Sequence, residues 1–440
     1  MKGLITIPII LIFITCSYDI TAAENNLNLT LLYTGEEIGH IEPCGCAANN
    51  SGGLSRRDAT ISSIKKTEKN VLLLENGDIV GGTGRQEELK YKTAISAMNV
   101  MGYTALNVGE KDILLGIDYL KGIEKTAQFP ILSCNLYTQT GNIFTPSLIK
   151  TFKEGDSELR IAIIGIISKE FENPLKNINK EICIEEPANV LKPLLKNLSK
   201  QSDIIILLAH VGKEEAEKLA KEFPEIDIMV YSHYGDMPLA YPSKVENTII
   251  LNSGQQGKNI GKLNIIFDTN GIVLERKHEI IPLGKNIPDS PEISKLLASY
   301  QEIVEKENLL TGVEKKPSPD GEYRGNIACE LCHPDEELKW EKTRHAKAYE
   351  SLVTKKHHSD PECVKCHVIG FEYTTGFKNF YDTPGLANVG CESCHGPGSR
   401  HIEDDQKAYG EVNQTDCQRC HIGEHSPDFN YDRYYEKIRH

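Results

Sequence analysis

The sequence predicts a layered α/β domain over residues 27–283, followed by a mainly α, loop-rich domain over residues 321–440. Three observations predict this division. Up to about Leu283 short apolar runs alternate with amphipathic segments, the pattern of sheets covered by helices. The polar run Lys315-Lys316-Pro317-Ser318-Pro319-Asp320-Gly321 then stops regular structure, which sets a boundary near 320. Beyond it, one five-residue pattern, Cys-x-x-Cys-His, occurs four times at uneven spacing.

Taken in order, strands are expected at Leu29 to Tyr33, Val71 to Leu74, Thr104 to Val108, Ile131 to Cys134, Arg160 to Ile166, Ile204 to Leu208 and Ile226 to Val230. Helical periodicity falls between them, at Tyr91 to Met101 and Lys213 to Glu222. Val245 to Leu251, Lys262 to Phe267 and Ile272 to Glu279 read as successive strands completing a second sheet. Residues 284–320 form a helical linker, with one amphipathic helix over Ile293 to Asn308.

The repeated pattern carries the chemistry. It reads Cys329-Glu-Leu-Cys332-His333, Cys363-Val-Lys-Cys366-His367, Cys391-Glu-Ser-Cys394-His395 and Cys417-Gln-Arg-Cys420-His421. Two thiols three positions apart reach the two vinyl groups on one edge of a porphyrin, and the next residue brings its imidazole to the iron. With Cys and His each near 3% of the chain, about 0.01 such matches are expected by chance. Zinc ribbons also use Cys-x-x-Cys pairs, but they do not need His after every second Cys. Four haem c groups are therefore expected, with His333, His367, His395 and His421 as proximal ligands.

The net charge of -14 argues against a nucleic-acid partner, which needs clustered Lys and Arg. The apolar run Leu4 to Ile14 reads as an export signal within residues 1–23. Two processing sites compete, lipidation at Cys16 and cleavage after Ala23. No other stretch is long and apolar enough to cross a membrane, so a membrane contact would come only through a lipid anchor. Covalent haem attachment agrees with export, to the periplasm or outer envelope of a bacterium. Of the thirteen cysteines, eight belong to the haem pattern. Cys134 and Cys183, with apolar neighbours, are expected in the core. Cys44 and Cys46 are either inert thiols, partners in long-range disulfides, or a redox-active pair.

Residues 27–283 carry, in order, Tyr33-Thr34-Gly35-Glu36-Glu37-Ile38-Gly39, Gly52-Gly53-Leu54-Ser55-Arg56-Arg57, Leu74-Glu75-Asn76-Gly77-Asp78, Asn107-Val108-Gly109-Glu110-Lys111-Asp112, Leu208-Ala209-His210 and Tyr231-Ser232-His233-Tyr234. This order of loops resembles the periplasmic 5′-nucleotidase branch of the calcineurin-like metallophosphatases, which also includes the thiosulfohydrolase of sulfur oxidation. The resemblance implies an α/β/β/α sandwich with two metal ions bridged by a carboxylate. Asp78 matches the bridging carboxylate, and His210 and His233 match two downstream ligands. Glu36 stands at the family's Asp, but Ile38 replaces its His. Glu110 replaces its Asn, Lys111 its transition-state His, and Gly235 its last His or Gln. One metal position thus keeps Asp78, Glu110, His210 and His233, a donor set for zinc, manganese or iron, while the other keeps only Glu36 and Asp78. The resemblance with these departures implies a partly lost metal site, with the Lys111 ammonium neutralising the carboxylates.

Residues 321–440 hold ten of the fourteen histidines. They include Trp340-Glu341-Lys342-Thr343-Arg344-His345-Ala346, Gly390-Cys391-Glu392-Ser393-Cys394-His395-Gly396-Pro397-Gly398-Ser399-Arg400-His401 and the closing Tyr434-Tyr435-Glu436-Lys437-Ile438-Arg439-His440. These resemble the tetrahaem cytochrome c that accepts electrons from hydroxylamine oxidoreductase in nitrifiers, and its wider multihaem family. The resemblance implies His345, His401 and His440 as distal ligands. One haem is then either five-coordinate, as in the nitrifier relative, or ligated by His357, His358 or His425. The first reading is an electron-transfer cytochrome working with redox partner proteins. A metal-dependent hydrolase of phosphate or sulfur esters with accessory haems is a second, and a reductase of a small nitrogen compound at an open haem a third.

Overall fold

In the computed structural model the first domain is organised by β1 (Leu27–Thr34), whose side chains divide between two cores. The structure describes residues 26–43, 50–155, 157–233, 237–268, 271–405, 409–423 and 425–440. The export segment with Cys16, the Cys44–Cys46 pair and Gly235 lie outside the described residues.

Parallel to β1 run β2 (Val71–Glu75), β3 (Ala105–Asn107) and β4 (Ile131–Leu132). A second set comprises β5 (Ser147–Glu154), β6 (Ser157–Ile167), β7 (Ile204–His210), β8 (Ile228–Ser232), β9 (Ser243–Val245) and β10 (Thr248–Leu251). The chain ends its strands with β11 (Asn259–Phe267) and β12 (Val273–Pro282). One six-stranded sheet has the order β12-β11-β1-β2-β3-β4 and the other β9-β10-β8-β7-β6-β5.

Period-two alternation decides what each strand buries. Leu29, Leu31 and Tyr33 of β1 meet Ile161 and Ile163 of β6, Ile206 and Leu208 of β7, and Val230 of β8 between the sheets. The intervening Ala162, Ile164, Leu207, Ala209 and Met229 face the opposite way, onto the helices Pro187–Leu198 and Lys213–Glu222. Leu32 and Leu73 face the helices Leu54–Lys65 and Arg85–Met101 on the other side. The four layers are therefore α/β/β/α. Each fully buried Leu or Ile contributes about 1.5–3 kcal/mol to holding them.

Three expectations change. The last strands do not complete one sheet: β10 joins the second, whereas β11 and β12 cross back and flank β1 in the first. The reason is apolar content, since Leu263, Ile265 and Phe267 of β11 fill the inter-sheet core beside β1. Val245 to Leu251 is not one strand but a hairpin, turned at Glu246 with φ 50. Cys183 is exposed rather than core. It lies on the two-residue strand Cys183–Ile184 beside Leu136–Thr138, where alternation buries Ile184 and turns Cys183 outward. Cys134 is buried as expected.

The helix Pro291–Lys306 is N-capped by the Ser290 hydroxyl and places Ile293, Leu297, Tyr300 and Val304 in the first-domain core. It is part of that core, not a free tether. A separate apolar cluster forms around Tyr323, Tyr349, Leu352, Val364, Ile369, Phe371 and Phe377. Among the described residues no helix is long and apolar enough to cross a membrane.

Candidate functional site

Parallel strands deliver their C-terminal ends to one edge of the sandwich, and the loops leaving them carry polar residues. β2 leads into Asn76-Gly77-Asp78, β3 into Gly109-Glu110-Lys111-Asp112, β7 ends at His210, and β8 runs into His233. The backbone is forced there. Glu36 (φ 53), Ile38 (φ 49), Asp78 (φ 56) and His233 (φ 141) account for four of ten non-glycine residues at positive φ among the described residues, and such outliers cluster where surrounding structure over-determines a site. Gly109 cannot be replaced without disturbance, because a Cβ would lie 2.2 Å from Asp78 Oδ1.

Asp78, Glu110, His210 and His233 each offer one ligand atom within 4.8 Å of the others. His210 donates through Nδ1 to the Asn76 carbonyl at 3.0 Å, which turns Nε2 toward Glu110 Oε2 at 2.5 Å and Asp78 Oδ1 at 3.6 Å. Anchoring one ring nitrogen in this way is how a metal-binding imidazole is oriented. His233 Nδ1 stands 3.6 Å from Glu110 Oε1, and the Phe171 ring packs edge-on against it at 4.7 Å. Two imidazoles and two carboxylates fit a divalent metal.

Glu36 is buried but lies outside this four-residue group. Its carboxyl is pushed up to about 7 by burial. Lys111 Nζ is paired with Asp78 and lies 2.9 Å from Glu110 Oε1. Burial opposes charge on His210, but Asp78 and Glu110 outweigh it and push the imidazole up to about 10. Burial holds His233 down at about 4. In the metal-free protein, imidazolium and ammonium therefore supply the positive charge that the carboxylates need.

The second constellation lies in the cysteine-rich region. His401 faces His333 with ring centroids 6.3 Å apart, His345 faces His421 at 6.1 Å, and His440 faces His395 at 5.9 Å. Two imidazoles on opposite sides of one iron, each nitrogen about 2 Å from it, put their centroids roughly 6 Å apart. Among the described residues His367 has no such ring partner. Three of the four motif histidines are anchored at Nδ1, an arrangement that would leave Nε2 for an iron: His367 on the Ala348 carbonyl (2.7 Å), His395 on the Gly410 carbonyl (2.7 Å) and His421 on the Ser426 hydroxyl (2.9 Å). Ile327 and Leu331, beside the first motif, are 74% and 85% exposed, apolar surface of the kind a porphyrin covers. The residues present fit haem. Of the three alternatives for a fourth distal ligand, His358 lies by Glu305 (3.5 Å), His357 by Gln301 (2.8 Å), and His425 near enough to His367 to act on its charge.

A model of the cytochrome c554 and c-prime family matches residues 328–396. The snake venom 5′-nucleotidase of Gloydius brevicauda is 27% identical over 312 residues, covering 62% of this chain and 51% of the relative. The human 5′-nucleotidase is 28% identical over 297 residues, covering 60% and 51%. The chain joins a 5′-nucleotidase-like domain to a cytochrome c554-like one. It spans about half the length of the curated relatives it matches. Solved structures share the fold of the 5′-nucleotidase-like domain: a 5′-nucleotidase precursor from Thermus thermophilus (TM-score 0.56, 22% identity, 69% of this chain and 63% of that one) and the calcineurin-like phosphoesterase YfkN from Bacillus subtilis (TM-score 0.55, 21% identity, 63% and 98%).

Sequence reasoning missed the residues that hold the 5′-nucleotidase-like site in shape. Asp112 accepts from the backbone N–H groups of Asp78 (2.9 Å), Ile79 (2.8 Å) and Gly109 (2.9 Å). Asn76 donates to the carbonyls of Ala209 (3.2 Å) and Val230 (2.9 Å), tying the two sheets together, and accepts from Asn107 at 2.9 Å. Their only sequence signal was adjacency to the ligand positions. Because each buried unpaired N–H costs about 1–3 kcal/mol, Asp112→Ala is expected to lower metal-free stability by about 3 kcal/mol or more. Urea denaturation would measure this, and a loss below about 1 kcal/mol would show that the three bonds do not hold the loop.

Proposed function

We propose that the protein is an exported tetrahaem cytochrome c that transfers electrons through residues 321–440, fused over residues 27–283 to a phosphoesterase-like domain with a single divalent-metal site. The observation that carries this reading is the set of three histidine ring pairs with one motif histidine left over. Cys329/His333, Cys391/His395 and Cys417/His421 would hold six-coordinate haems, with His401, His440 and His345 as their distal ligands. Cys363, Cys366 and His367 would hold a haem with an open axial position. Haem supplies reversible one-electron exchange when bound.

The attachment cysteines also suggest an order. Cys329 and Cys391, Cys394 and Cys417, and Cys366 and Cys420 lie close enough to act on each other's charge. Attachment edges this close favour a continuous row running from the first motif through the third and fourth to the second. Its last member adjoins the phosphoesterase-like domain, where Lys90 pairs with Glu362 and Gln86 donates to Asp360 at 2.8 Å.

Electron paramagnetic resonance of the purified protein tests the reading. Roughly one quarter of the haem iron is expected to be high-spin and the rest low-spin. A wholly low-spin spectrum would remove the open haem, and zinc in place of haem would end the cytochrome reading. The lack of a second imidazole stacked against His367 among the described residues also favours a second reading, reduction of a small nitrogen compound at that haem, which predicts loss of the high-spin signal when such a compound is added.

A further inference from the structure

Glu392 stands between Cys391 and Cys394 of the third motif and is only 1% exposed. A carboxylate taken out of water needs donors for its oxygens. Here every donor is main chain. Oε1 accepts from the N–H groups of Arg324 (3.0 Å) and Gly398 (2.7 Å), and Oε2 from those of Arg324 (2.9 Å) and Gly325 (2.7 Å). Among the described residues no lysine, arginine or histidine pairs with it, and the flanking Arg324 and Arg400 turn their guanidinium groups to Glu322 (3.2 Å) and to Asp320. The charge is held by backbone dipoles and has no counter-ion.

Its place matters as well. Arg324 and Gly325 lead into the first motif, which starts at Cys329, so the carboxylate ties that motif to the third. Asn326 makes a second tie with a neutral group: its Oδ1 accepts from the Cys391 N–H at 3.0 Å, and a Cβ on Gly390 would lie 2.2 Å from it. Joining the two motifs does not in itself call for a charge. The charge also acts on its surroundings. Burial first, and Glu392 after it, push the Tyr409 hydroxyl up. The Tyr409 ring stacks against both His401 (4.9 Å) and His395 (5.9 Å), histidines assigned above to the first and third haems. A fixed negative charge in so dry a place makes adding an electron nearby less favourable.

We propose that Glu392 is a positioning residue that fixes the first and third motifs side by side and, through its uncompensated charge, holds their two haems at low reduction potential. The inference rests on the tetrahaem reading. Its test is a redox titration of the full haem-loaded chain, followed by electron paramagnetic resonance, for the native protein, Glu392→Gln and Glu392→Ala. Glutamine keeps the size but sets an amide N–H against backbone donors, whereas alanine leaves room for water to meet them. The two variants therefore have different reasons to misfold. In either one, two low-spin haems should become about tenfold easier to reduce, about 59 mV for one electron. The haem of the second motif, at the far end of the row and marked by its high-spin signal, should shift less than about twofold. Unmoved low-spin midpoints, equal shifts of all four haems, or loss of haem from both variants would each overturn the proposal and leave Glu392 a structural clamp. A native protein without haem would overturn the tetrahaem reading and this inference with it, so the two failures are told apart.

Discussion

Produced without haem attachment, the protein is expected to keep its sandwich and lose most of residues 321–440 as a folded unit. The apolar cluster of that region gathers around the second motif, through Tyr349, Leu352, Val364, Val368, Ile369 and Phe377. The helices Pro334–Trp340, Gln414–Gln418 and Tyr431–Tyr435 bury no residue at all. Ile327, Leu331 and Ile402 stand exposed beside motif or partner histidines. A segment that buries so little apolar surface cannot offset roughly 1–2 kcal/mol of backbone entropy per residue. On the proposed reading, porphyrins would supply the missing core. Limited proteolysis of colourless protein should therefore cut the first, third and fourth motifs while sparing the helix Pro291–Lys306, whose apolar face is locked into the sandwich. Haem-loaded protein should resist at all four. Equal resistance of the two forms would mean that peptide packing alone holds the cytochrome c554-like domain.

What was legible in the sequence follows from the range of the interactions involved. Strands such as Ile204–His210 are continuous apolar runs because both faces are buried, and local composition reveals them. Sheet membership is not local. β10 and β11 are separated by only seven residues yet belong to different sheets, and nothing in their composition says which neighbour each will find. The four Cys-x-x-Cys-His motifs stood out because their internal spacing is fixed, whatever the fold around them. The pairing of His401 with His333 across 68 positions, or of Asn76 with Val230 across 154, leaves no trace at either end.

Lys111→Met should destabilise the metal-free protein while tightening its hold on a divalent metal. Asp78 is fully buried, and its carboxyl is raised by that burial although His210 and Lys111 pull it down. Taking away the ammonium leaves Asp78 and Glu110 sharing the positive charge of His210 alone. Removing one partner of a buried pair costs about 3–5 kcal/mol, and because Lys111 is one-quarter exposed the expected loss is nearer 2–3 kcal/mol. Metal binding runs the other way. In the native sequence an incoming ion must displace the ammonium from Asp78 and the proton from His210 Nε2, so both cations compete with it. With methionine at 111 one competitor is gone, and the dissociation constant for zinc or manganese should fall at least tenfold, about 1.4 kcal/mol. At a hundredfold excess over that constant the ion would return about 2.7 kcal/mol of stability, offsetting most of the loss. Denaturation with and without metal, together with equilibrium metal titration, reads both effects on one variant. Weaker metal binding in Lys111→Met would mean that the lysine organises the ligands instead of standing in for an ion.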